Sequence, residues 1–392
     1  MIIGIHQRTW LRRVALGVAA CVFVAGTASR AAAQDPKPLP TPPAGGDPAP
    51  LADATPPAPD PDKVTLNFFR GTEVGGLVDG YYQWYSTKQN GLYRAFDQSH
   101  NAFTVSMAEV WLAKAPASDS PIGYKVRMNF GEASHVYTPA ADTDYKYIEE
   151  AYGSYLHGKA QIDFGKFVTN AGAEVVEAKD NWNYTRSLLF QLTIPVYHAG
   201  IRMNYAASDK VSFMVGVVNG WNNVVETNTG KTFMASITLK PSPKFTFIEN
   251  YIGGPETAGT NDNARNLSDT VIQYLPGGKL SLMANIDFTS EGGATSSGFA
   301  GYLKYQAGPK FAIVPRYEYL SDGGAAFGSG LKQNLQDFTV TLELKGADNF
   351  MWRIEYRGDY SDQDVFKTDT GSFKSNQQSL AFGFLYSFSS KS

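Results

Sequence analysis

The sequence predicts an all-β fold: a transmembrane, antiparallel, up-and-down β-barrel of about 16 strands, with a long third outer loop folded inward. Three observations carry this expectation. Segments of about ten residues alternate apolar and polar side chains. Short turns alternate with longer polar connections along the chain. Aromatic residues make up 13% of the composition and crowd the apolar sides of the alternating segments.

Composition narrows the function classes. The 392 residues carry 34 Lys+Arg against 37 Asp+Glu, a net charge of −3, so the basic excess of a nucleic-acid binder is absent. Hydrophobic residues at 43% and charged residues at 18% exclude disorder for most of the chain. One cysteine, Cys21, cannot supply a disulfide framework or a zinc ribbon.

Residues 1–33 read as a secretory signal peptide. Arg8, Arg12 and Arg13 form a basic start, residues 14–28 an apolar core, and Ala31-Ala32-Ala33 a small-residue cleavage site before Gln34. The apolar stretch falls short of the ~20 residues that a membrane-spanning helix needs. Val18-Ala19-Ala20-Cys21 also matches a lipoprotein cleavage pattern, although cleavage there would leave the apolar residues 22–28 exposed. Removal of residues 1–33 takes away four arginines, no acid and Cys21, leaving 30 basic and 37 acidic residues, a net −7. Residues 34–63 form a Pro-rich linker. Positions 35–62 hold 11 of the chain's 21 prolines, with no aromatic residue and no apolar period, which predicts a disordered periplasmic spacer or a ligand for a proline-reading domain.

The barrel is expected over residues 64–392. In the segment 122–131, Ile122, Tyr124, Val126, Met128 and Phe130 share one face, while Lys125, Arg127 and Asn129 share the other. In 280–289, Leu280, Leu282, Ala284, Ile286 and Phe288 oppose Met283, Asn285, Asp287 and Thr289. In 350–360, Trp352, Ile354, Tyr356 and Tyr360 oppose Arg353, Glu355, Arg357 and Asp359. A soluble sandwich would fill its apolar face with Val, Leu and Ile; here that face carries Phe, Tyr and Trp, as in the interfacial girdles of membrane barrels. Arg and Glu on one strand face suit a wet lumen.

Turn spacing supplies the count. Short connections fall at 116–121, 157–159, 206–210, 241–244, 276–279, 308–310 and 346–349. Longer polar ones fall at 88–100, 132–143, 168–197, 222–230, 255–265, 290–297, 321–333 and 362–374. Fifteen alternating connections make 16 strands, an even number that puts both barrel ends on the periplasmic side. The third outer connection, 168–197, is the longest and is rich in aromatic and apolar residues, so it should pack inside the barrel and narrow the pore. Ala171 to Lys179 is expected to form one or two helical turns. The competing reading makes Ser187 to Ile194 an ordinary strand.

Four segments carry a family resemblance: Phe96-Asp97-Gln98-Ser99-His100-Asn101-Ala102-Phe103, Gly165-Lys166-Phe167-Val168-Thr169-Asn170-Ala171-Gly172-Ala173-Glu174, Asp180-Asn181-Trp182-Asn183-Tyr184-Thr185-Arg186-Ser187 and Gly216-Val217-Val218-Asn219-Gly220-Trp221-Asn222. Over roughly residues 70–388 the chain resembles the OmpL-like β-barrel porins, which implies an outer-membrane porin. Where that family usually has proline, this chain has Asn170, which implies a looser start to the third loop. Leu385-Tyr386-Ser387-Phe388 is similar to the aromatic-ended assembly signal of such barrels, and the chain continues beyond it through Ser389–Ser392.

Enzyme motifs are absent: no nucleophile elbow, no phosphate-binding Gly loop and no HExxH pair. His100, His135, His157 and His198 lack metal-ligand spacing, and Asp262-Asn263 and Asp322-Gly323-Gly324 read as turns. No catalytic residue, metal or cofactor is assigned. Residue chemistry and resemblance together predict a bacterial outer-membrane porin for passive diffusion of small hydrophilic solutes and ions. Its expected partners are outer-membrane lipid, the barrel-assembly machinery and, optionally, further copies of itself. The alternative is a substrate-selective or adhesive barrel whose outer loops bind a partner.

Strand parity points Lys125, Arg127, Arg202, Lys304, Arg316, Arg353 and Arg357 into the lumen, with Asp79, Asp163, Asp287, Glu318, Glu343, Glu355 and Asp359 beside them. Seven against seven predicts a neutral polar wall. The constriction is expected from Glu174, Glu177, Asp180, Lys179 and Arg186 of the third loop, net −1, facing basic wall residues across the gap and giving weak cation selectivity. On the same parity, an arginine at Ile286 would face lipid, and one at Asp287 would act mainly on conductance.

Overall fold

The computed structural model describes residues 69–391 apart from positions 137, 139, 327, 328 and 348; the predicted signal peptide and linker lie outside the described residues. The barrel's first half contains β1 (Glu73–Tyr85), β2 (Ala102–Lys114), β3 (Ile122–Phe130), β4 (Ile148–His157), β5 (Ala160–Val168), β6 (Tyr197–Ser208), β7 (Val211–Val218) and β8 (Thr232–Ser242). The second half contains β9 (Phe245–Gly254), β10 (Arg265–Tyr274), β11 (Leu280–Glu291), β12 (Ala294–Gly308), β13 (Phe311–Asp322), β14 (Gln333–Lys345), β15 (Phe350–Ser361) and β18 (Asn376–Ser389). These 16 strands form one closed sheet, each antiparallel to its neighbours, with β1 paired to β18. The remaining strands, β16 (Phe366–Lys367) and β17 (Phe373–Lys374), make a small ribbon in the last outer loop. Closure gives every strand a partner on both sides, so no sheet edge meets lipid.

Period-two alternation sets the two faces. In β11, Met283, Asn285, Asp287 and Thr289 are buried, whereas Leu280 and Leu282 are exposed on the outside. On β15 and β18 the outward aromatics form a band: Phe350 lies 4.6 Å from Tyr386 and Trp352 lies 4.8 Å from Phe384, centroid to centroid. The tyrosine and tryptophan rings suit the membrane–water interface, being apolar in body and polar at one edge.

Two details depart from the sequence reading. The sixth outer connection, expected at 290–297, is a two-residue hairpin turn at Gly292 and Gly293, with φ of +54° and +88°. Two successive glycines supply the positive φ values of a type I′ turn, whose twist matches the flanking strands, so β11 and β12 extend into it. The lumen is also less uniformly wet than predicted. Met214, Met234, Ile252 and Leu267 on β7 to β10 point inward and are almost fully buried.

With Ile286 on the outward face opposite Thr270 and Phe299, Ile286→Arg should cost about 2–4 kcal/mol near the bilayer midplane. Urea titration of the barrel refolded in lipid vesicles measures it; a change of less than about 1 kcal/mol would place this side chain away from lipid.

Candidate functional site in the lumen

The inward residues of β9 to β15 form a frame for the third outer connection, residues 169–196. A row of amides and carboxylates crosses β9, β10 and β11: Asn250 donates to Asp269 at 2.6 Å, and Asn285 donates to Asp269 at 2.6 Å and to Asp287 at 2.7 Å. Onto this row the loop's first residues are fixed. Asn170 Nδ2 donates to Asn250 Oδ1 at 2.7 Å, and the backbone N–H groups of Gly172 and Ala173 donate to Asp269 and Asn285 respectively, both at 2.9 Å. Asn170 thus tethers the loop by its amide, so the loop's start is not loose for want of a proline.

The next stretch is irregular backbone, and the wall's charges satisfy it. Arg353 donates to the carbonyls of Ala178 at 2.5 Å, Asn183 at 2.9 Å and also Asn181. Glu355 accepts the N–H groups of Tyr184 at 2.6 Å and Thr185 at 3.0 Å. Arg316 takes the carbonyl of Thr185 at 2.6 Å, and Arg357 that of Arg186 at 2.5 Å. Arginines serve carbonyls and carboxylates serve N–H groups, which is the pairing each group's chemistry allows. The frame is itself cross-linked: Arg316 pairs with Glu318 at 2.9 Å, Arg357 with Asp359 at 2.7 Å and with Asp337, and Arg353 with Glu343 at 2.7 Å.

The loop ends in a short helix, α2 (Leu188–Leu192), after α1 (Ala133–Val136) in the second outer loop. Ser187 caps α2 by accepting Phe190 N–H at 2.9 Å. Leu188, Leu189 and Leu192 then pack on Met283, Ala300, Tyr302, Leu320 and Leu335 of the wall. Gly298 and Gly383 leave the room this packing needs, since a Cβ there would lie 2.3 Å from Leu189 and 2.6 Å from Tyr184 respectively. The first outer loop folds in above, where Arg94 pairs with Asp359 at 2.8 Å and Asp97 at 3.2 Å. Phe96 stacks edge-on against Phe190 at 6.0 Å.

On the opposite side, β2 to β6 keep their charges nearer water. Arg127 sits among Glu109, Glu149, Glu150 and Glu177, and Lys125 pairs with Glu150. Glu109, Glu149 and Glu177 bring carboxylate oxygens within 4.8 Å of one another, but the guanidinium of Arg127 already serves as their counter-cation. Arg202 pairs with Asp163 at 2.9 Å, and Lys179 with Asp180 at 2.6 Å. Toward the periplasmic end a cavity of about 410 Å³ is lined by polar residues, Gln161, Asn170, Arg202, Asn204, Ser236 and Asn250 among them, and by the apolar Leu156, Phe213, Met214 and Ile248.

The family described as "Putative beta-barrel porin-2, OmpL-like" matches residues 71–388. The chain belongs to the OmpL-like β-barrel porins. Solved structures agree on the fold. The outer membrane channel DcaP of Acinetobacter baumannii is 12% identical with a TM-score of 0.56, covering 81% of this chain and 97% of its own. OmpT of Vibrio cholerae, solved in trimer form, is 11% identical with a TM-score of 0.55, over 81% and 99%. The anion-selective porin from Comamonas acidovorans is 9% identical with a TM-score of 0.54, over 81% and 99%. No curated protein matches the chain.

In this porin the five residues expected at the constriction do not share one gap. Glu174 is buried, accepts Ser187 N–H at 2.6 Å and pairs with Arg316 at 3.0 Å. Arg186 is buried too; it clasps the loop internally by donating to the carbonyls of Tyr184 at 2.5 Å and Val175 at 3.2 Å, and to Val176. Glu177, Lys179 and Asp180 stand on the β2–β6 side, and Asp180 keeps 54% of its side chain exposed. Among the wall residues, Arg316, Glu318, Arg353, Glu355 and Arg357 lie under the loop, whereas Lys125, Arg127 and Arg202 retain 24%, 12% and 15% side-chain exposure. Opposite charges interleave within each side. Asp287 accepts the hydroxyl of Thr193, so an arginine there would unseat the loop rather than act on conductance alone.

Of the helical turns expected over Ala171 to Lys179, only the last two residues are helical. A 3-10 turn covers Ala178–Asp180, and α2 occupies the stretch that the competing reading made a strand. Sequence reasoning missed Glu109, Glu150, Asp269 and Asp337 on the wall, all of which period-two parity could have reached. It also missed Arg94 in a loop, where no period applies.

Among the outer loops, Glu256 accepts the Trp221 N–H at 2.8 Å and the Thr232 hydroxyl at 2.5 Å, fastening the fifth loop to the fourth. Burial pushes its carboxyl up to about 7, against the pull of those two hydrogen bonds and of Arg265. A folded-state value above the unfolded one means that the packed loop holds the proton more tightly. Its contribution to loop stability is present below the ordinary carboxylate range and is lost as pH rises through about 7. Hydrogen exchange of residues 219–231, corrected for its intrinsic pH dependence, should rise between pH 5 and 8 in the native porin; the same slope in Glu256→Gln would exclude this carboxyl as the cause. For the lumen, Glu355→Ala strips partners from two buried N–H groups at about 1–3 kcal/mol each. Protease nicking within residues 178–187 and a larger single-channel conductance should follow, with the barrel still folded; a loop as resistant as before would mean that Glu355 does not hold it.

Proposed function

We propose that solutes cross this porin between the third loop and the β2–β6 wall. The observation that carries this reading is the distribution of exposure. The frame on β13 to β15 is sealed under the loop, while Lys125, Arg127, Arg202, Lys179 and Asp180 retain contact with water. The effective constriction is then Glu177, Lys179 and Asp180 facing Lys125, Arg127 and Arg202. On this side six acids (Glu109, Glu149, Glu150, Asp163, Glu177, Asp180) meet four bases (Lys125, Arg127, Lys179, Arg202), which supports a weak cation preference. The depth of loop packing supports a narrow, size-limited passage for small hydrophilic solutes.

Residues 1–33 are proposed as the cleaved export signal, 34–63 as a periplasmic spacer, and the aromatic end of β18 as the segment read by the assembly machinery. The fold shared with OmpT of V. cholerae, solved as a trimer, supports a homo-oligomer.

Planar-bilayer recording tests the pathway. The native porin should show steady open channels with a reversal potential weakly favouring cations at 0.1 M salt, fading at 1 M as the screening length falls from about 10 Å to about 3 Å. Glu177→Gln with Asp180→Asn should move the reversal potential toward anions, while Glu174→Gln should leave it in place and loosen the loop. If only Glu174→Gln shifts selectivity, the passage lies on the other side of the loop.

A further inference from the structure

Beneath the third loop, inward side chains of β5 to β9 line the cavity of about 410 Å³, a volume within the roughly 300–1,000 Å³ of small-molecule sites. Strand register lays these side chains out as two rows. In the first, Gln161, Asn204, Met214, Ser236 and Asn250 stand opposite one another from β5 across to β9. In the second, nearer the periplasm, Ala206, Ser212, Thr238 and Ile248 do the same from β6 to β9. The hydroxyls of Ser212, Ser236 and Thr238 hydrogen-bond to no described residue, and the side-chain carbonyl of Asn204 is likewise open. Each of those hydroxyls can both donate and accept. Asn170 of the loop roofs the space, with its Nδ2 spent on Asn250 and its Oδ1 buried without a partner.

Charge at this cavity is already answered within the wall. Asp163 pairs with Arg202 at 2.9 Å and also accepts Ser154 at 2.7 Å, Gln161 at 2.8 Å and Asn204 at 3.3 Å, so acid and base cancel. Lys159 stands exposed at the rim and donates to the Ala207 carbonyl at 2.7 Å. Apolar surface lies among the hydroxyls: Met214 sits within the first row, Ile248 ends the second, and Leu156 adds to it from β4. Polar groups set about 4.8 Å apart by strand spacing, with apolar surface between them, match a solute that is polar round its edge and apolar on its faces. We propose that this cavity is a binding site for a neutral cyclic polyol of monosaccharide size. The inference rests on the reading that solutes pass between the third loop and the β2–β6 wall, because β5 and β6 border both that passage and the cavity.

Saturation-transfer NMR on the full-length porin, in a detergent without sugar groups, tests the site with D-glucose. Transfer to the ring C–H protons should saturate with glucose concentration. Ser236→Ala with Thr238→Val keeps the side-chain shapes and removes two hydroxyls. It should raise the half-saturating concentration about tenfold, equivalent to about 1.4 kcal/mol, while heat-modifiable migration still reports a folded barrel. Ser281→Ala removes a lumenal hydroxyl on β11 outside the cavity and should leave the titration unchanged. No saturable transfer to glucose, an equal loss in Ser281→Ala, or tighter binding of glucuronate than of glucose would each overturn the assignment, the last by showing that Arg202 is free for an anion. Single-channel recording separates the site from the pathway. Glucose should lower the ion current to a saturating floor, whereas a polyethylene glycol of similar size should lower it only in proportion to concentration. Saturable NMR binding without that floor supports the site and sinks the pathway reading. Missing NMR binding, with the reversal-potential shift of Glu177→Gln and Asp180→Asn intact, sinks the site alone.

Discussion

Everything inside this barrel depends on one requirement: an irregular stretch of backbone held where hydrogen-bonding solvent is scarce must find partners for its peptide groups. Non-helical backbone at membrane depth persists only when protein or trapped water satisfies it. Residues 169–196 have little regular structure beyond a 3-10 turn and α2. Arg316, Arg353 and Arg357 supply donors to five of the loop's carbonyls, counting that of Ala178, and Glu318, Glu355 and Asp269 accept its N–H groups. The wall's ion pairs are the means of holding those groups in place. Each arginine is already neutralised by a carboxylate on its own or an adjacent strand, so the loop meets a frame that is rigid before it arrives.

That arrangement divides the lumen. Charges given over to the loop are lost to the solute: Arg316 and Arg357 are essentially inaccessible, and so is Glu318. The apolar clusters under α2 and around Phe190, Ile194 and Val196 press the loop onto β7 to β14 and leave β2 to β6 as the side with accessible charge. One half of the interior therefore behaves as a protein core and the other as a polar channel wall. Seven inward bases against seven inward acids describes neither half, because Glu109, Glu150, Asp269 and Asp337 also point inward and the pairs are local.

Much of the barrel was legible in the sequence because a strand that faces two solvents must alternate, and the alternation can be counted. Lys125, Asp163, Arg202 and Arg353 could be placed on the lumenal face by parity alone, and the strand count followed from turn chemistry. Where two glycines at 292 and 293 allowed a two-residue turn, the polar residues after them belonged to the strand, so polarity alone overestimated that loop. The candidate site was less legible. Glu174 and Glu177 are three residues apart and look equivalent, yet one finds Arg316 on β13 and the other Arg127 on β3. Both are buried, and which side of the lumen each joins is decided by partners more than a hundred residues away for Glu174 and fifty for Glu177, of which a single sequence carries no local sign.

A barrel wall has one rule for each face, and both faces carry exceptions. Apolar side chains are out of place in a wet lumen, yet Met234, Ile252 and Leu267 point inward because a folded segment of protein covers them. A carboxylate is equally out of place on the lipid face, and Glu249 stands there at mid-strand with hydroxyls gathered around it. Lipid and water each tolerate a stray methyl or hydroxyl, but neither accounts for a cluster of the wrong kind held in ordered contact. Inside, the covering segment is the third loop and lies within the same chain. Outside, Glu249 is answered by the hydroxyls of Ser268 and Thr270 on the adjacent strand, so that exception is met within the wall itself.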